Sequence, residues 1–182
     1  MNGLPLATVL PAALASSAAD RLAALFDAHH QRLYRLARRL VPTVDDALDL
    51  VQETFVRAAR KPTSIPIGFA DEEAWLVRVL VNIRRDQWRK ADVRNRFAGE
   101  SLRASAVATH PEASLIARSD VWSALDALSP RRRAVVVLHE LEGLTIQDVA
   151  SMLGISAITV RWHLSKGRRE LLKILKPFSG ET

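Results

Sequence analysis

Apolar residues recur every three to four positions over most of the chain, which is the period of a helix with one face turned to a core. From Arg21, the series Leu22, Leu25/Phe26, His29, Leu33, Leu36/Ala37 and Leu40 predicts a first helix, and Pro42 stops it. Ala47, Leu50/Val51, Thr54/Phe55 and Ala58 share one face of a second helix over residues 44–59, with Asp45 and Asp46 suiting its positive end. Residues 61–70 (KPTSIPIGFA) hold prolines and a glycine and read as a loop. A third helix starts near Asp71-Glu72-Glu73 and runs through Trp75, Leu76, Val79/Leu80, Ile83 and Gln87/Trp88. Its end turns basic, with Arg84, Arg85, Arg89, Lys90, Arg94 and Arg96.

Periodicity fades over residues 97–110, which read as a linker. Pro111 suits the first turn of a helix over residues 112–128. Ser129-Pro130 reads as the cap and first residue of another helix through Val135, Val136, Leu138 and Leu141, which Gly143 ends. Nothing alternates with a period of two. The expected fold is all-α, with two small helical domains over residues 21–96 and 112–176. A linker at 97–111 joins them, and tails cover 1–20 and 177–182. Residues 1–20 lack Lys and Arg, and Pro5 and Pro11 interrupt their apolar stretch, so they read as a loose tail and not a secretory signal.

The stretch TIQDVASMLGISAITVRWHLSKGRRELL (residues 145–172) carries a mechanism. Thr145 caps a short helix, with Asp148 as its capping-box partner. That helix buries Val149, Ala150 and Leu153, and Gly154 permits a left-handed turn. Ser156 caps the next helix, whose buried seam is Val160 and Leu164, with Ile155 at the corner. Small Ala150, Gly154 in the turn and Val160 in the second helix make a helix-turn-helix pattern. At about 100° per residue, burying Val160 and Leu164 leaves Ile158, Arg161, Trp162, Ser165 and Arg169 on the opposite face. Ser156, Ala157, Thr159, Arg161 and Trp162 then lie near base edges or adjacent phosphates. Arg161 is the candidate for a bidentate guanine contact. Lys166, Arg168 and Arg169 suit phosphates, with a solvated helix end favoured by the dipole as the alternative.

Composition narrows the classes. The chain has 182 residues and no cysteine, which excludes disulfides, thiolate catalysis and cysteine-held metal. The cytoplasm is the expected compartment, and no apolar run reaches the ~18 residues of a membrane helix. The net charge of +6 is uneven: residues 21–96 carry +5, residues 129–182 carry +4, and residues 97–128 carry −2. Two basic blocks suit two modules that each approach a polyanion, although basic surface also serves solubility. His29 and His30 have no third ligand at a metal-binding spacing, and no phosphate loop or nucleophile triad stands out. No metal, cofactor or enzyme activity is expected.

Two stretches of the first module, DALDLVQETFVRA (residues 46–58) and AWLVRVLVNIRRDQWRK (residues 74–90), together with LSPRRRAVVVLHELEGLTIQDVASMLGISAITVRWHL, resemble bacterial RNA polymerase sigma factors. The resemblance is to the compact extracytoplasmic-function (ECF) group of the sigma-70 family. It covers sigma region two at residues 21–94 and region four at 112–176, in the family's order and spacing. Leu48 stands where the family often has an acid, the loop at 61–70 is unusually proline-rich, and residues 1–20 fall outside the resemblance.

The resemblance implies a promoter-specificity subunit that binds core RNA polymerase through its β′ and β subunits, binds promoter DNA, and assists melting. Asp46, Asp49, Gln52 and Glu53, with Leu50, would form the core-binding surface. The loop at 61–70 and Asn82 match positions that hold an extruded base of the minus-ten element, with Ile65 and Ile67 closing over it. Arg84, Arg85 and Arg89 would hold neighbouring phosphates. Trp88 among them can stack on unpaired bases, but its place in the apolar period favours core packing. Trp75 and Trp122 are expected to pack. An anti-sigma factor is a further implied partner, and no membrane insertion of the chain itself is expected. The alternative is a free-standing helix-turn-helix regulator that never engages core polymerase.

Overall fold

A computed structural model describes the backbone of residues 9–97 and 116–175, and side-chain surroundings for residues 18–94 and 121–175. Among the described residues every regular element is helical. The first module is a bundle of α1 (Val9–Leu40), α2 (Val44–Arg60) and α3 (Phe69–Phe97), each packed on the other two. The apolar period places Leu25, Leu33, Leu36, Leu50, Leu76 and Leu80 in its core. Fully burying each such side chain contributes about 1.5–3 kcal/mol.

The boundaries follow local chemistry. The loose tail expected over residues 1–20 gives way at Val9, where α1 begins. The alanine-rich run after Pro11 favours helix, and a proline is tolerated in a first turn. Thr43 caps α2 by accepting from the Asp46 N–H at 3.0 Å. The loop at 61–70 is shorter than expected. It contains a 3-10 turn, Pro62–Ser64, and α3 begins at Phe69, directly after Gly68 at φ +117°.

The second module comprises α4 (Ile116–Asp126), α5 (Pro130–Val136), α6 (Ile146–Leu153) and α7 (Ala157–Leu175). The expected α4 start near Pro111, most of the linker and the tail at 177–182 lie outside the described residues. Pro130 opens α5, but Ser129 makes no side-chain cap bond. The helix expected to continue through Leu141 widens into a π turn over Val137–Leu141. There the Glu142 N–H reaches the Val137 carbonyl at 3.1 Å, and His139 Nδ1 donates to the Leu144 carbonyl at 2.7 Å.

The two modules share one interface. Helix α3 packs on α5 and α6, and the buried apolar cluster runs through both modules. Arg78 of α3 donates to the Ser151 carbonyl at 2.7 Å and the Met152 carbonyl at 3.1 Å. These belong to the last turn of α6, where carbonyls lack helical partners and a cation suits the dipole. Glu142 pairs with both Arg32 and Arg39. Arg133 donates to the Arg39 carbonyl at 2.7 Å and pairs with Asp126.

Candidate nucleic-acid and polymerase interfaces

The helix-turn-helix is built as its sequence implies. Thr145 and Asp148 form a reciprocal capping box. Gly154 takes the left-handed conformation at φ +63°. The Ile155 N–H reaches the Ala150 carbonyl at 3.0 Å and the Gly154 N–H reaches the Ser151 carbonyl at 3.3 Å. This pair of bonds is a Schellman motif, which closes α6 and turns the chain into α7. Ser156 accepts from the Thr159 N–H at 3.1 Å, and the two hydroxyls share a bond of 2.8 Å.

Val160 and Leu164 are buried, so α7 is fixed in rotation. Ser156, Ile158, Arg161, Trp162, Ser165, Lys166, Arg168 and Arg169 are exposed, while Ala157 and Thr159 are half-buried. Ile158 is 76% exposed, which is unusual for an isoleucine in a helix packed on a core. Lys166 Nζ lies 5.1 Å from the Trp162 ring centre, and the Arg132 guanidinium lies 5.9 Å from it on the α5 side. These cation–π contacts steady the indole at the surface. Arg168 bonds to Glu140 at 2.8 Å, and Arg169 Nε donates to the Ser165 carbonyl at 3.2 Å. Arg161 makes no such contact among the described residues.

Beneath this face, His163 and Gly167 are buried, and sequence reasoning missed both. Burial first, then the nearby Arg131 and Arg132 charges, pushes the His163 imidazole below its ordinary pKa. A Cβ on Gly167 would lie 2.7 Å from Val136 Cγ2, so this glycine lets α7 lie close on α5. The signal was available: Gly167 falls three and seven positions after Leu164 and Val160, on their face.

On the first module, Asp49, Gln52 and Glu53 line an open cleft of about 450 Å³. Asp86, Gln87 and Lys90 of α3 form its other wall, and the sequence reading did not place them there. Glu53 is tied to Arg57 at 3.1 Å. Asp46 lies outside the cleft lining and bonds to the Thr43 hydroxyl at 2.7 Å. Leu50 is fully buried, so its expected place on a contact surface is corrected. It shares its face with Ala47 and Thr54, and all three point into the bundle.

The minus-ten candidates divide. Ile65 is 6% exposed and anchors the loop in the core, so it cannot close over a base as expected. Ile67, 87% exposed, and Phe69, 63% exposed, are the apolar side chains the loop turns outward, and Phe69 was missed. Asn82 is half-buried on α3. Arg84 is partly buried against the second module, and desolvation pulls its pKa down while Asp46 and Asp126 act the other way. Arg85 bonds to Asp86 at 3.3 Å and lies near Arg131, whose pKa is lowered by burial and by that like charge. Arg89 is exposed. Trp88 is 40% exposed, which corrects the expectation of core packing.

Trp75 and Trp122 pack against the core as expected. His29 is buried, 3.3 Å from Glu72 and against the Phe69 ring, while His30 stacks on Phe26. Among the described residues no three His, Asp or Glu side chains converge as a metal site would need. Among them, too, no helix is long and apolar enough to cross a membrane.

An all-helical pair of modules, the second a helix-turn-helix, defines a class, and sequence relatives identify it. Residues 25–94 match the family described as Sigma-70 region 2, and residues 118–171 match Sigma-70, region 4. The chain belongs to the ECF RNA polymerase sigma factors. It is 37% identical over 162 residues to SigE of Mycolicibacterium smegmatis, covering 85% of this chain and 61% of that relative. It is 34% identical over 160 residues to SigM of Mycobacterium tuberculosis, covering 87% of this chain and 80% of that relative. Its fold is similar to that of the sigma factor RpoE from Bartonella quintana, solved in complex with the anti-sigma factor NepR. That similarity has a TM-score of 0.63 and 31% identity, over 81% of this chain and 91% of the other. CnrH, solved with the cytosolic domain of CnrY, is similar at a TM-score of 0.57 and 26% identity, over 90% and 96% of the two chains.

Proposed function

We propose that the chain binds core RNA polymerase, directs it to specific promoters and assists their melting, without being an enzyme itself. The observation that carries this reading is the pairing, in one chain of the sigma family, of a recognition helix with an exposed Arg161 and a polar cleft, lined by Asp49, Glu53 and Asp86 among others, on the other module. Residues 21–96 act as the minus-ten and core-binding module, and residues 112–176 as the minus-thirty-five module. The cleft lined by Asp49, Gln52 and Glu53 receives a basic helical surface of core polymerase. Arg161 reads a base edge in the major groove, while Lys166, Arg168 and Arg169 position the duplex on its phosphates. Arg168 must exchange Glu140 for that phosphate.

Ile67 meets an unpaired base of the minus-ten element beside the start of α3, and Asn82, Trp88 and Arg89, further along that helix, extend the strand path. The protein works in the cytoplasm. An anti-sigma factor is its regulatory partner, a reading supported by the similar RpoE from Bartonella quintana, which was solved in complex with the anti-sigma factor NepR.

Charge reversal at both Asp49 and Glu53 tests the core-binding half. The double variant should fail to co-purify with core polymerase and still bind duplex DNA through α7. Normal co-purification would overturn the assignment of that cleft.

A further inference from the structure

Arg21 reaches across 44 residues of sequence to the loop after α2. Its Nη2 donates to the Ile65 carbonyl at 3.1 Å and to the Pro66 carbonyl at 3.0 Å. The reach is possible because α1 starts well before the matched sigma segment, which begins at residue 25. Ala18, Ala19 and Leu22 of α1 face Ala58, Ala59, Pro62 and Ile65 across a cleft of about 220 Å³. Small side chains on both walls let the early turns of α1 lie over the base of the loop.

The loop is therefore held at its base in two ways. The Ile65 side chain is sunk in the core, and its backbone oxygen is tied to Arg21. One residue past Pro66, the chain carries Ile67 almost free in solvent, while Phe69 beyond Gly68 rests one side of its ring on His29. A glycine at φ +117° has no steric preference of its own for one backbone state. Pairing both carbonyls on one guanidinium fixes the direction in which Ile67 leaves the fold. No carboxylate pairs with Arg21 among the described residues, so its bonds to the loop face no competing ion pair.

We propose that Arg21 is a positioning residue for promoter melting, presenting Ile67 to the extruded base. This rests on the reading of the loop as part of the minus-ten pocket. A pocket offsets the cost of unstacking only if its apolar wall stands ready, because ordering a loose loop would consume part of the binding energy.

The test compares the full chain with Arg21→Met, Arg21→Lys and Ile67→Ser, each with core polymerase on duplex and pre-opened templates. Methionine keeps the length and removes the donors, while lysine restores a donor of similar reach. Arg21→Met should melt the duplex about tenfold more slowly. It should also relax base preference at the pocketed position and recover on a pre-opened template. Arg21→Lys should restore most of both properties. Core binding and thermal midpoint should match the wild type in all three. If Ile67→Ser is defective and Arg21→Met is not, the positioning role is overturned while the pocket stands. If neither variant alters melting or base preference, both the role and the pocket reading fall. A fall in the thermal midpoint of Arg21→Met, without lysine rescue of melting, would also overturn the role by making the residue structural.

Discussion

His163 lies on the buried face of the recognition helix itself, with Nδ1 unpartnered among the described residues and with Arg131 and Arg132 nearby. Burial and those two charges favour the neutral ring. The unfolded chain therefore binds a proton more readily than the folded one. The stabilisation from neutral His163 is complete above the unfolded value of about 6.5. It is lost progressively as pH falls from there through the lower folded value. Thermal midpoints should decline below about pH 6.5, and His163→Gln should flatten that decline. A midpoint profile with the same slope in the variant would assign the acid sensitivity to other groups.

At this scale the sequence resolved exposure only partly. Periodicity separated Val160 and Leu164 from Arg161 and Trp162, because one buried seam sets the rotation of a whole helix. It misjudged Ile65, whose burial depends on how a loop folds back. It misjudged Trp88 as well, because period alone does not tell the centre of a buried stripe from its half-exposed edge.

Among the elements, the helix-turn-helix was the most legible, since its caps and its glycine turn are local chemistry. Thr145, Asp148, Gly154 and Ser156 all act where the sequence places them. The π turn after α5 was not legible, because no local residue marks it. The close approach of α7 to α5 follows from Gly167 against Val136, a contact between elements. Val136 is 3% exposed and has little room to move. Gly167→Val should lower stability by about 1–3 kcal/mol through overpacking. Denaturant unfolding measures this, and a variant as stable as the wild type would mean that the two helices can separate freely. Duplex binding should weaken in parallel, because α7 would shift relative to the Arg132 that steadies Trp162.

For the whole molecule, two modules were legible and their mutual packing was not. Arg32, Arg39, Arg78 and Glu142 carry no local signal in the sequence, yet the fold brings all four to the seam between the modules. Glu142 is 8% exposed in its side chain and takes two arginines. Both arginines are about a third exposed, so solvent weakens each pair. Arg78 adds the carbonyls at the end of α6. The wild type should melt in one cooperative transition, since the apolar core is continuous. Arg78→Ala combined with Glu142→Ala should split it into two, seen by calorimetry. A single transition in the double variant would show that the apolar contacts alone couple the modules.

Transcription by purified core polymerase, reconstituted with and without the chain on genomic fragments, tests the central claim most directly. Discrete run-off transcripts should appear only when the chain is present. Arg161→Ala should diminish them, and charge reversal at Asp49 and Glu53 should abolish them. Duplex binding by the chain with no transcript at any fragment, and no association with core, would overturn the sigma role and leave a helix-turn-helix regulator that acts apart from the polymerase.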